Sequence, residues 1–189
     1  MDSSERDPAH AELVILGCGP AGYSAAVHAA RANLRPMLIS GLAESTASAP
    51  SADIGAWPVD VDVVHGPELK QRLRDHAERP STRVVFDRIV AVDLAKRPFW
   101  LQGGRGNYTC DALIVAVDGP HDTRLFRGQL EMANGHIATQ TGLSGMATTT
   151  SLRGVFVAGG PQQSDLDQLI TRTGSGCMAA LDAQRFLGL

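Results

Sequence analysis

Three glycines, Gly17, Gly19 and Gly22, are spaced as the binding of a phosphate would require. They follow an unbroken apolar run, Leu13-Val14-Ile15-Leu16, and run into the alanine-rich stretch Tyr23-Ser-Ala-Ala-Val-His-Ala-Ala30. The apolar run reads as a strand buried on both faces, and the alanine-rich stretch reads as a helix. In a strand, turn and helix of this kind Gly17 permits the sharp turn, Gly19 lets the backbone approach a pyrophosphate, and Gly22 lets helix and strand pack closely. Amides at the helix N-terminus then face the anion. Pro20 suits the first helical turn, where a missing N–H costs little, and Cys18 and Ala21 complete the loop. The chemistry implied is dinucleotide binding. A glycine-rich packing turn with no ligand is the competing reading, and the strand before and helix after the glycines favour the former.

Positioning such a turn requires a sheet. Met37 to Ser40 reads as a second strand parallel to the first, with Ser40-Gly41 standing where an NAD-binding unit would carry an Asp or Glu for the adenosine ribose. Two further apolar runs, Asp111 to Val117 and Gly154 to Gly159, suit the same sheet, so a central parallel sheet is expected over 12–17, 36–40, 111–117 and 154–159. Beside it an antiparallel meander is expected from Arg83–Leu94, Pro98–Gln102 and Asn107–Thr109, joined by turns that include Gly103 to Gly106. A long loop with Trp57-Pro58 spans 42–66, and Pro67 to Glu78 reads as an amphipathic helix. Asn134-Gly135 signals a hairpin between 130–133 and 136–140. The C-terminal helix is expected over 165–187, with Gly174 and Gly176 allowing close packing of helix on sheet. The fold class is α/β, a single Rossmann-like domain over 12–189 after a flexible lead of 1–11.

The totals agree with that reading. With 189 residues, 43% of them hydrophobic, the chain supplies one well-cored domain. A net charge of −3 leaves no electrostatic footprint for nucleic acid, and no apolar run approaches membrane-spanning length. The polar start, Met1 to His10, lacks the apolar core of a signal peptide, so a cytoplasmic location is expected. Three cysteines, Cys18, Cys110 and Cys177, form no CxxC, and the six histidines show no ligand spacing, so neither a metal site nor a vicinal redox pair is expected. Cys18 sits where a helix N-terminus would lower a thiol pKa, yet it reads as a small filler between glycines.

Five segments together resemble the FAD domain of bacterial thioredoxin reductase: Gly17-Cys-Gly-Pro-Ala-Gly-Tyr-Ser-Ala-Ala-Val27, Ala29-Ala-Arg-Ala-Asn33, Tyr108-Thr-Cys-Asp-Ala-Leu-Ile114, Gly154-Val-Phe-Val-Ala-Gly159 and Gly176-Cys-Met-Ala-Ala-Leu-Asp-Ala183. The match covers nearly the whole chain from residue 12. The resemblance implies an FAD/NAD(P)-binding fold, FAD as cofactor and a homodimer. It places cofactor contacts at Gly17 through Gly22, at Ser40 and Gly41, and at Gly159, Gly160 and Gln168. The family also inserts an NADPH domain carrying the redox-active CxxC between the two parts of its FAD domain. Here Asp111 to Val115 resembles the end of the first part and Leu125 to Gly135 the return, with no such insertion between them, so no NADPH site is expected.

Several flavin-holding motifs differ. Where the family has Gly-Gly-Gln near the isoalloxazine this chain has Ser45-Thr46-Ala47, and Ala56 replaces the Asn before Trp-Pro. Ala-Thr-Gly has become Ala116-Val117-Asp118. The family's Ala-Gly-Asp is Ala158-Gly159-Gly160, and its nearby Arg is Asp167, while Gln168 survives. Each lost hydrogen bond removes roughly 0.5–1.5 kcal/mol. FAD, another nucleotide and an empty site therefore stay open as alternatives.

Two functions follow. The altered motifs favour a degenerate FAD-domain-only protein acting as a nucleotide-binding regulatory or interaction module. The retained glycines and Gln168 favour a flavin oxidoreductase fed by a separate electron donor. The first is preferred, because catalysis should preserve cofactor contacts that a scaffold can shed. No catalytic residue is assigned.

Overall fold

A computed structural model of the chain describes residues 7–41, 82–116, 122–140, 148–159 and 165–188. The expected loop over 42–66 and helix over 67–78 lie outside the described residues.

Strand β1 (Ala9–Leu16) lies at the centre, parallel to β2 (Met37–Gly41) on one side and β5 (Asn107–Val115) on the other. The first half of β3 (Arg83–Asp93) continues the parallel order beyond β2, and β8 (Val155–Val157) continues it beyond β5. The second half of β3 runs antiparallel to β4 (Phe99–Gly103), which in turn runs antiparallel to the first half of β5. Strands β3 and β5 thus belong to the parallel sheet at one end and to the meander at the other.

Two expectations are corrected here. Asn107–Thr109 and Asp111–Val117, read as separate strands, form the single strand β5, which ends at Val115. Strand β1 begins at Ala9, inside the stretch read as a flexible lead, because Ala9, His10 and Ala11 pair with Tyr108, Thr109 and Cys110. Both strands alternate in burial at their first residues and become fully buried at their last four. That change marks where one covered face becomes two.

Side chains alternate across a strand, so the four buried residues of β1 divide between two apolar layers. Leu13 and Ile15 pack beneath the helices with Leu38, Ile114 and Phe156, whereas Val14 and Leu16 pack toward the meander with Ile39, Phe99, Leu101 and Val115. The helices are α1 (Pro20–Arg31) and α2 (Asp165–Leu187). Helix α1 stops in a Schellman arrangement: Asn33, at φ +61°, donates its N–H to Ala30 O, and Leu34 donates to Ala29 O, each at 3.0 Å.

Gly176 brings the two helices together. A Cβ there would lie 2.2 Å from the carbonyl oxygen of Ala21, while Gly174 has nothing within 4 Å. The expected close packing of helix on sheet at these glycines is therefore a helix–helix crossing at Gly176 alone. Ser24 reinforces it by donating to Thr173 O at 2.8 Å.

The return segment after β5 is a 3-10 turn (Asp122–Phe126) followed by the hairpin β6 (Met132–Ala133) and β7 (His136–Ile137). Asn134 and Gly135, at φ +51° and +81°, make its two-residue turn of type I′. Gln129 fastens the segment to the meander, accepting from Leu94 N–H at 2.7 Å and donating to Val92 O at 2.9 Å.

Candidate functional site

The glycine turn is tied to strands on both sides. Gly17 N–H donates to Ile39 O of β2 at 2.9 Å, and Ala116 N–H donates to Leu16 O at 2.8 Å. Gly17 itself has φ +117°, and a Cβ on it would lie 2.1 Å from Ala116 O, so both conformation and space require glycine. A Cβ on Gly22 would lie 1.9 Å from Gly17 O, which sets the first turn of α1 directly against the loop.

Gly19 differs from its neighbours. It is the N-cap of α1 at φ −78° and ψ −177°, a conformation open to any residue. Its lack of a side chain is not needed by the backbone and suits close approach of a ligand. Gly19 has no side chain with which to cap α1, and the first turn of the helix carries no acid. The first intrahelical bond runs from Tyr23 N–H to Gly19 O at 3.0 Å. The N–H groups of Ala21 and Gly22 precede that bond and have no acceptor within the helix, at the positive end of its dipole. This donor set fits the pyrophosphate of a dinucleotide.

The other expected contact residues gather only in part. Ser40 and Gly41 end β2, beside the turn that Gly17 makes at the end of β1. Gly159 follows β8 at φ +93°, and its N–H donates to Ser175 Oγ at 2.7 Å. Ser175 in turn donates to Arg172 O at 2.8 Å, so α2 fixes the turn after β8. Gln168 and Asp167 lie early in α2, and their side chains fall outside the described residues. Gly160, Val117, Asp118, Ser45 to Ala47 and Ala56 also lie outside them.

The roles of Ala116 and Ser175 are absent from the sequence reading. The carbonyl of Ala116 acts through the backbone, which no residue type reveals. Ser175, a hydroxyl between two helical glycines, is a weak signal for a side chain that holds a neighbouring turn.

The cysteines take separate places. Cys18 is partly buried and packs against the core beneath α1, in keeping with a filler role. Cys177 is partly buried, with Sγ 3.1 Å from Ser24 Oγ. Cys110 is fully buried in β5, and burial pushes its thiol far up, with the Asp111 charge adding to the effect. A thiol so held is a poor nucleophile at neutral pH. None of the three is in a disulfide. Among the described residues no group of His, Cys, Asp and Glu is placed to hold a metal ion, and no helix is long and apolar enough to cross a membrane.

Comparison with known proteins agrees with this geometry. The profile of the family described as pyridine nucleotide-disulphide oxidoreductase matches residues 11–160. Thioredoxin reductase of Vibrio cholerae serotype O1 is 30% identical over an alignment of 308 positions that spans 94% of this chain and 97% of the relative. Glucosaminate ammonia-lyase of Pseudomonas fluorescens is 29% identical over 307 positions, spanning 94% and 96%. Both alignments are longer than the 189-residue chain, so each contains positions of the relative that face no residue here. Thioredoxin reductase from Gloeobacter violaceus superposes with a TM-score of 0.81 at 17% identity, over 96% of this chain and 97% of that one, a likeness of fold.

Proposed function

Because the chain belongs to the pyridine nucleotide-disulphide oxidoreductase family, we propose that it is an FAD-domain-only relative of thioredoxin reductase that binds a dinucleotide at the Gly17–Gly22 turn and serves as a regulatory or interaction protein. The observation that carries the dinucleotide reading is the N-terminus of α1, which its N-cap Gly19 does not cap and whose first turn carries no acid, set behind the glycine turn. In this reading Ala21 and Gly22 offer backbone N–H groups to the phosphates, and FAD is the dinucleotide the family implies. When bound, a flavin supplies two-electron transfer.

A regulatory or interaction role accounts for the lost flavin-holding residues. Gly160 stands where the family has a carboxylate, and Asp167 adds an acid where the family has an Arg. The excess length of the alignments supports the absence of the inserted NADPH domain between β5 and the return segment. The second reading, an FAD-dependent oxidoreductase receiving electrons from a separate donor, is favoured by the same turn, whose Gly17 and Gly22 admit no other residue.

A coupled assay with NADPH, added FAD and thioredoxin separates these functions from that of a complete reductase. Turnover needs a hydride donor held against the flavin and a dithiol relay, and positioning supplies much of any such rate. The expected outcome is no turnover above background. Robust turnover that is lost in Cys18→Ser, Cys110→Ser or Cys177→Ser would overturn the proposal. Flavin bands in the visible spectrum of freshly purified protein would promote the oxidoreductase reading over the regulatory one.

A further inference from the structure

The end of the sheet opposite the glycine turn carries a second organised group of side chains. Phe186, in the last turn of α2, packs edge-on to Phe156 with ring centroids 6.0 Å apart. It lies over Gly154, where a Cβ would stand 2.9 Å from the ring. Two guanidinium groups approach this fixed ring: Arg97, from the turn between β3 and β4, at 5.0 Å from its centroid, and Arg153, just before β8, at 5.7 Å. Both arginines are exposed, as is the adjacent Lys96.

In a chain of net charge −3, two neighbouring cations would be expected to find carboxylates. Arg97 and Arg153 form no ion pair among the described residues. Asp93, the last residue of β3 before that turn, accepts from Ala95 N–H at 2.9 Å instead. The ring holds the guanidinium groups by cation–π attraction, so less side-chain freedom is lost when an anion binds. Planar guanidinium groups suit carboxylates, which they can engage through paired hydrogen bonds.

We propose that Arg97 and Arg153, held on the Phe186 ring, form a docking point for the carboxylates of an acidic protein segment. A nucleic acid is disfavoured, since its binding rests on many phosphate contacts and, among the described residues, only two or three cations stand together here, in a chain of net charge −3. The patch lies at the amino end of β8 and the glycine turn at the carboxyl end of β1, so the failure of either assignment leaves the other standing.

The test titrates the full chain with an octaglutamate peptide at low ionic strength, followed by calorimetry and by amide NMR shifts. Saturable binding is expected, weakened about tenfold in R97Q/R153Q and unchanged in R35Q/R127Q, which removes equal charge elsewhere. R97K/R153K keeps the charge but not the planar group, and should bind roughly threefold or more weaker than the parent. Equal losses in R97Q/R153Q and R35Q/R127Q would reduce the effect to net charge and overturn the proposal. So would full binding by R97Q/R153Q, parental binding by R97K/R153K, or tripolyphosphate binding more tightly than the peptide.

Discussion

The carbonyl oxygen of Ala116 occupies the space that a Cβ on Gly17 would need, 2.1 Å from where that atom would sit. The obstructing atom is backbone, directly after β5, and the Ala116 N–H is itself bonded to Leu16 O at 2.8 Å, so it cannot turn aside. Gly17→Ala would also place alanine at φ +117°. The expected cost is roughly 3 kcal/mol or more, measured by urea denaturation at neutral pH. A loss below about 1 kcal/mol would mean that the turn relaxes freely.

Gly174 and Gly176, two residues apart in α2, should respond in opposite directions. Gly176→Ala drives a methyl group against the Ala21 carbonyl, 2.2 Å from the Cβ position, and should destabilise the fold by about 2–4 kcal/mol. Gly174→Ala meets open space inside a helix and should stabilise it by about 0.5–1 kcal/mol. Thermal melts of the two variants, compared with the parent, check both signs.

Asp87 anchors the turn between β4 and β5. Its carboxylate accepts from Arg88 and Arg105 N–H groups and from Tyr108 OH, the last at 2.7 Å. Burial, then the hydrogen bond to Asp87 and its charge, push the Tyr108 phenol up from 10.0 to about 12, against opposing pulls from Arg83 and Arg105. With the folded value above the unfolded one, this contribution is complete below pH 10 and fades as pH rises toward about 12. Tyr108→Phe should cost about 1.5–3 kcal/mol at neutral pH. It should also flatten the fall in stability between pH 10 and 12. Urea denaturation across that range tests both effects; parallel curves for parent and variant would contradict the assignment.

Several of these features can be read from residue types, and others cannot. Leu13 to Leu16 followed by spaced glycines marks a buried strand and its turn, because few sequences combine an apolar run with that spacing. Asn134-Gly135 marks its hairpin because both residues adopt positive φ readily. The unity of β5 is hidden by Asp111, which looks like a strand start. Its carboxylate instead faces outward, 3.4 Å from His10 Nε2 on the neighbouring strand. Gly176 declares itself small without declaring what it lies against. The bridge from Gln129 to the backbone of Val92 and Leu94 links residues more than thirty positions apart, and no local pattern encodes it.

The central claim, that a dinucleotide is held at the glycine turn, is tested most directly at Gly19. Its φ of −78° and ψ of −177° are open to any residue, so Gly19→Val places a branched side chain before the N-terminus of α1 without straining the backbone dihedrals. Parent and variant are titrated with FAD, followed by quenching of flavin fluorescence, with circular dichroism as the check on folding. The predicted result is saturable binding by the parent and a loss of about tenfold or more, 1.4 kcal/mol, in a folded variant. Equal affinity in the two proteins would place the ligand elsewhere and contradict the account.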